Sequence, residues 1–170
     1  MIALLFLQWL TPQHDITTIT HFRCWPKPKF SLKAPKHFSG RGVRDRNAAL
    51  WGSLSVVTPH GHAFFAGDTG YAPHFQEINQ RLGAPRVALL PIGAYEPRPL
   101  MKQVHMNPLD AVKAHQDLAA HKSISMHFNT FQLTDEPIDA PAQALKEALL
   151  KQGVPEHDFL VMLEGDGRVF

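Results

Sequence analysis

Eleven histidines stand among 170 residues, and imidazole is both a common metal ligand and the usual acid/base group near neutral pH. Asp68, His127 and His37 share one placement. Each follows a short run of strand character: residues 63–66 before Asp68, residues 123–126 before His127, and the alternating Phe30, Leu32 and Ala34 before His37. Side chains at the ends of buried strands converge on one rim of a sheet, where sites in layered α/β domains are usually built. One carboxylate and two imidazoles form a donor set for zinc or a similar divalent ion, which accepts carboxylate oxygen and neutral imidazole nitrogen. Taken singly, the residues have plainer readings: an Asp after a strand forms turns, and a lone His lies on the surface or in a hydrogen-bonded core. Spacing alone leaves both readings standing.

The elements that must position these residues are legible in the pattern. Phe30, Leu32 and Ala34 alternate with Ser31 and Lys33 and predict a short strand. Trp51, Leu54, Val56 and Val57 predict another, and the turn signal Pro59-His60-Gly61 joins it to residues 63–66 as a β-hairpin. After Gly67-Asp68-Thr69-Gly70, Pro73 opens a helix with Phe75, Ile78 and Leu82 on one face, closed by Gly83. Residues 87–92 read as a buried strand. Asn107 and Pro108 pair an N-cap side chain with proline at the first helical position, and that helix carries Leu109, Ala111, Val112 and Leu118. A strand over residues 123–126, a helix from Pro141 to its stop at Gly153, and a strand over residues 159–163 complete the pattern, with Val169-Phe170 as a last edge. Strands alternating with helices predict an α/β layered domain. No internal repeat or low-complexity stretch interrupts it.

Composition narrows the function classes. The chain is 44% hydrophobic and 19% charged, ordinary for one domain with a sizeable core. A net charge of only +2 gives no electrostatic footprint for nucleic acid. The single Cys24 has no internal disulfide partner, and residues 1–10 are apolar but too short to span a bilayer and lack a basic leader. They read as a strand or an unnatural start, with membrane-surface contact through Trp9 the weaker alternative. The expected compartment is the cytoplasm, with membrane association as an addition.

Longer motifs surround the candidate residues: Trp51-Gly52-Ser53, Phe65-Ala66-Gly67-Asp68-Thr69-Gly70-Tyr71, Pro91-Ile92-Gly93-Ala94-Tyr95-Glu96-Pro97-Arg98, residues 101–108 with His105 before Asn107-Pro108, and Met126-His127-Phe128-Asn129-Thr130-Phe131. Together they resemble the N-acyl-phosphatidylethanolamine-hydrolysing phospholipase D family, a branch of the metallo-β-lactamase superfamily close to the L-ascorbate 6-phosphate lactonases. The resemblance covers about residues 34–170. It implies the C-terminal half of a metallo-β-lactamase αββα sandwich, a mixed sheet with helices on one face. It also implies that Asp68 bridges two metal ions, that His127 and His37 (in Pro35-Lys36-His37-Phe38-Ser39-Gly40-Arg41) are metal ligands, and that His105 faces the substrate or handles a proton, so that Asp68 and His105 carry the catalysis. The implied metal is zinc, two ions in full-length relatives, with iron or manganese equally suited to these donors. The implied substrate is a small-molecule or lipid phosphodiester, with peripheral membrane contact.

The sequence also departs from the family. The His-x-His-x-Asp-His motif of such enzymes is absent. His60-Gly61-His62 imitates its start, but Phe64 and Phe65 stand where Asp and His are needed, and the turn reads as surface. Residues 1–33 do not resemble the family and read as a divergent segment of a truncated or frame-shifted gene, ahead of a partial domain over 34–170. Three functional readings follow: a phospholipase D-like metal-dependent hydrolase, a lactonase-like relative, and an inactive partial domain that needs a homodimer mate or a missing N-terminal half. His14, His21, His74, His115, His121 and His157 have no motif context and read as surface or helix-face residues. Glu96 and Arg98 are expected to pair as scaffold, the alternative being an Arg98 that faces an anionic substrate. Tyr95 is expected to pack its loop. Arg41, Arg44 and Arg46 read as a solvated loop face, or as a draw for phosphate.

Overall fold

The structure is a computed structural model that describes residues 29–42, 44–49, 51–163 and 165–169. The expectations for residues 1–10 with Trp9, for His14, His21 and Cys24, and for Phe170 lie outside these residues. In chain order the elements are β1 (Lys29–Lys33), β2 (Ser53–Thr58), β3 (Gly61–Phe65), α1 (His74–Leu82), β4 (Val87–Pro91), α2 (Arg98–Met101), α3 (Pro108–Leu118), β5 (Ser123–Met126), α4 (Ala140–Gln152) and β6 (Phe159–Leu160).

The six strands form one sheet in sequence order, β1 to β6. The β1–β2 and β2–β3 pairs are antiparallel, with Leu54 opposite Phe65 and Val57 opposite His62 in the hairpin. The β3–β4, β4–β5 and β5–β6 pairs are parallel. Strands have a side-chain period of two, so one face of the sheet collects Phe64, Ala88, Leu90 and Phe159. Helices α1, α3 and α4 cover that face with Phe75 and Ile78, Val112 and Leu118, and Leu145 and Leu149. Burying each such large side chain contributes roughly 1.5–3 kcal/mol, which fixes the register. On the opposite face Leu54, Val56, Phe65, Leu89, Ile124 and Met126 are half-buried. The result is the expected mixed sheet with helices on one face.

The helix signals act as the sequence implies. The Asn107 side chain accepts the Asp110 N–H at 2.9 Å, with proline in the first turn, and α4 ends on Gly153 in the left-handed region at φ 66°. Other expectations are adjusted. His62 is buried, 3% exposed, because it shares a strand face with Phe64. His74 and His115 are buried too: His74 packs on Phe75, and His115 packs on Phe159 and bonds the Ser123 hydroxyl at 2.8 Å. The last strand stops at Leu160, and Val169 is fully exposed outside any strand. Glu96 does bind Arg98, but through the Arg98 backbone N–H at 2.7 Å, while the guanidinium turns to Asp110.

Candidate functional site

Strands β3, β4 and β5 run parallel, so their carboxyl ends share one rim. Two successive antiparallel pairings bring β1 back to the direction of β3, so its end joins the same rim. The segments leaving this rim carry His37 after β1, Asp68 after β3, the Gly93–Pro97 loop after β4 and His127 directly after β5. Open α/β sheets usually bind ligands just outside strand carboxyl ends.

Each segment is anchored. Lys36 and Gly70 form a β-bridge with Gly70 N–H to Lys36 carbonyl at 2.9 Å, and Lys36 N–H reaches the Thr69 hydroxyl at 3.1 Å. Trp51 donates its indole N–H to the Pro35 carbonyl at 3.1 Å. These bonds set the His37 segment beside Asp68. The residue 102–105 loop lies so close to Gly70 that a Cβ there would meet the Lys102 and Gln103 carbonyls at 3.0 Å. Behind His127, a Cβ on Gly93 would lie 2.2 Å from the His127 carbonyl oxygen. The approach at Gly93 requires glycine, and the tight one at Gly70 favours it.

The four expected site residues come together. The His127 Nε2 lies 3.4 Å from an Asp68 carboxylate oxygen. The His105 ring centre is 5.2 Å from that of His127 and 5.3 Å from that of His37. His37 stacks on Phe38 and its Nδ1 faces the Phe38 carbonyl at 2.9 Å. The Asp68 side chain is 45% exposed and His127 21%, so the cluster opens to solvent, whereas His105 is buried. Burial above all, then the neighbouring His127, pulls the His105 pKa down to about 4 and leaves the ring neutral.

The backbone around His127 is strained. His127, Asn129 and Ala94 lie at φ 60°, 63° and 60°, a region that costs non-glycine residues on the order of 1–3 kcal/mol each. Strain of this kind persists where the surroundings over-determine it, and Glu136 restrains the segment that follows Ala94. Its buried carboxylate accepts the Tyr95 and Glu96 N–H groups at 3.2 and 3.0 Å and the Thr134 hydroxyl at 2.7 Å. Burial pushes the Glu136 carboxyl up, and these hydrogen bonds bring it below its ordinary value. Sequence reasoning missed Glu136, because a carboxylate in an irregular loop has no periodic signal. It also missed the Asp110 partner of Arg98, although the N-terminal turn position of Asp110 hinted at a structural role.

The donor types suit a divalent cation, and the buried Nδ1 atoms of His105 and His127 have no hydrogen-bond partner, as is also true of the Nε2 atoms of His62 and His74. The set does not close around an ion: among the described residues no group of three or more His, Cys, Asp or Glu side chains is arranged to hold one.

A model of the β-lactamase superfamily domain matches residues 8–128, well over half of the chain. The chain belongs to that family. This membership agrees with the resemblance to the metallo-β-lactamase superfamily carried by the motif runs from Trp51 to Phe131. The domain is 41% identical over 125 residues to an uncharacterized protein of Mycobacterium tuberculosis, across 72% of this chain and 32% of that one. It is 39% identical over 116 residues to N-acyl-phosphatidylethanolamine-hydrolyzing phospholipase D 1 of Caenorhabditis elegans, across 67% of this chain and 33% of that one. Its fold resembles a metallo hydrolase of the archaeon Ignicoccus hospitalis, with a TM-score of 0.59 and 23% identity over 92% of this chain and 56% of that one. The chain thus spans about a third of the length of these curated relatives.

Proposed function

We propose that this domain forms the metal-facing rim of a hydrolase that cleaves phosphodiesters in a phospholipase D-like reaction. The observation that carries the reading is the convergence of His37, Asp68, His105 and His127 at one strand rim. In this reading Asp68, His127 and His37 would supply part of the ligand set for zinc, with iron or manganese fitting the same donor types. When bound, the ion supplies Lewis acidity, which polarises a phosphoryl oxygen and eases the ionisation of water. Asp68 would supply the carboxylate oxygen donors. His105, kept neutral by burial, accepts a proton or a hydrogen bond beside the reacting phosphate.

In the proposed reaction a water oxygen bonds to phosphorus and the phosphorus–oxygen bond to the N-acylethanolamine breaks. The products of N-acyl-phosphatidylethanolamine are N-acylethanolamine and phosphatidate. Two features support an anionic lipid substrate. A pocket of about 260 Å³ beside His37 is lined by Phe38, Ser39, Gly40, Gly42 and Arg46, with the Arg46 guanidinium 4.3 Å over the Phe38 ring. On the other side, exposed Phe131, Leu133 and Ile138 line a pocket shared with His127 and form an apolar edge suited to peripheral membrane contact. Among the described residues no helix is long and apolar enough to cross a membrane.

A second reading is favoured by the lack of any three-donor group among the described residues. In it, the domain is a partial one, inactive until a second αβ half supplies further ligands. One experiment separates the two. The chain is loaded with zinc and assayed on bis(p-nitrophenyl) phosphate and on N-acyl-phosphatidylethanolamine vesicles. Turnover abolished by His105→Ala supports the hydrolase reading. Zinc bound without turnover refutes autonomous hydrolysis and leaves the partial domain.

A further inference from the structure

We propose that Arg98 is a positioning residue that aims His105 into the rim, an inference that rests on the proposed role of His105. The guanidinium joins two sides of the loop between α2 and α3. Its Nη1 donates to the His105 carbonyl at 2.9 Å, and its Nη2 pairs with the Asp110 carboxylate in the first turn of α3. Both ends of this clamp are themselves fixed. The Arg98 backbone N–H binds the Glu96 carboxylate, and the Asp110 N–H binds the Asn107 side chain. The His105 N–H returns to the Met101 carbonyl at 2.7 Å.

The pair is shielded, with side chains 22% exposed at Arg98 and 12% at Asp110, so it resists solvent screening better than a surface pair. A planar guanidinium forks two directional bonds at once, which an ammonium does not reproduce. The close contact at Gly70 blocks the loop from the other side. The His105 ring is thereby held between His37 and His127, with no side-chain hydrogen bond of its own at Nδ1. The guanidinium is engaged inward and does not extend to a substrate anion.

The test uses the zinc-free 170-residue chain and the variants Arg98→Met, Arg98→Lys and Asp110→Asn. The His105 Cε1–H resonance, identified by its loss in His105→Gln, is expected to move in Arg98→Met and Arg98→Lys. The resonances of buried His62 and His115, away from the rim, are expected to stay. If Arg98→Met does not fold, Arg98→Lys and Asp110→Asn decide. A His105 resonance at the wild-type position in a folded Arg98→Lys chain overturns the proposal, and this readout stands whether or not the chain hydrolyses phosphodiesters. Where turnover is measurable, Arg98→Met is expected to lower kcat on the order of 10- to 100-fold with KM little changed, because a misaimed group loses rate. In a His105→Gln background the same change is expected to cost nothing more. Losses that multiply in the double variant contradict action through His105.

Discussion

Placing a methyl group on Gly93 is the sharpest perturbation of the His127 loop that the structure offers. An ideal Cβ there would lie 2.2 Å from the His127 carbonyl oxygen, and real Cβ contacts are not seen below 3.0 Å. The carbonyl must therefore retreat from 2.2 Å to 3.0 Å or more. The Phe128 Cβ at 3.2 Å leaves no slack beside it. The obstacle is backbone, and His127 already occupies the left-handed region at φ 60°. Relief must come from moving the segment that carries the imidazole. Overpacking of this kind costs typically about 1–3 kcal/mol, which for a domain of this size lowers Tm by roughly 2–4 °C per kcal/mol. Gly93→Ala is expected to lower Tm within that range, to shift the His127 Cε1–H resonance and to weaken zinc binding. Gly167, with no heavy atom within 4 Å of its ideal Cβ, is the control. A Gly93→Ala chain with unchanged Tm and an unmoved His127 resonance would refute the claim that this contact positions His127.

His74 makes stability fall in mild acid. Burial chiefly, then Lys33, pulls its pKa from 6.5 down to about 4, so between those values the unfolded chain takes up a proton that the folded chain refuses. Stability present above pH 6.5 is then lost as pH drops towards 4, by at most about 3 kcal/mol from this residue. Urea unfolding at pH 7 and pH 4.5 reads it, and equal loss in His74→Gln rules His74 out as the source. Glu136→Ala strands the Tyr95 and Glu96 N–H groups, at roughly 1–3 kcal/mol for an unsatisfied buried donor. Thermal unfolding should show a clear loss against exposed Glu147→Ala, and equal midpoints would contradict the bridging role.

Much of the architecture was readable from periodicity, since residues 123–126 and the hairpin around Gly61 fall where the alternating runs and turn signal put them. The rim was readable because Asp68, His127 and His37 each follow a strand end, and strand ends converge. The burial of His62 was also available: it lies two residues before Phe64, and period two puts both on one face. The look-alike His60-Gly61-His62 turn obscured that signal. His115 lies four residues after Ala111 and three before Leu118, the spacing of a core-facing helix position. The four-residue helix α2 and the reach of Arg98 to Asp110 were not legible, because they depend on where loops meet in space. The anchoring role of Glu136 is of the same kind, a tertiary contact with no local pattern.

We infer that Asp68 and His127, with His37, form the metal-facing part of this domain. Zinc titration of the 170-residue chain by isothermal calorimetry, with elemental analysis of the dialysed protein, tests it most directly. Bound zinc is expected near neutral pH, with affinity falling at least about tenfold in Asp68→Ala and in His127→Ala while both variants stay folded. Zinc that does not bind, or that binds both variants as tightly as the wild type, would contradict it.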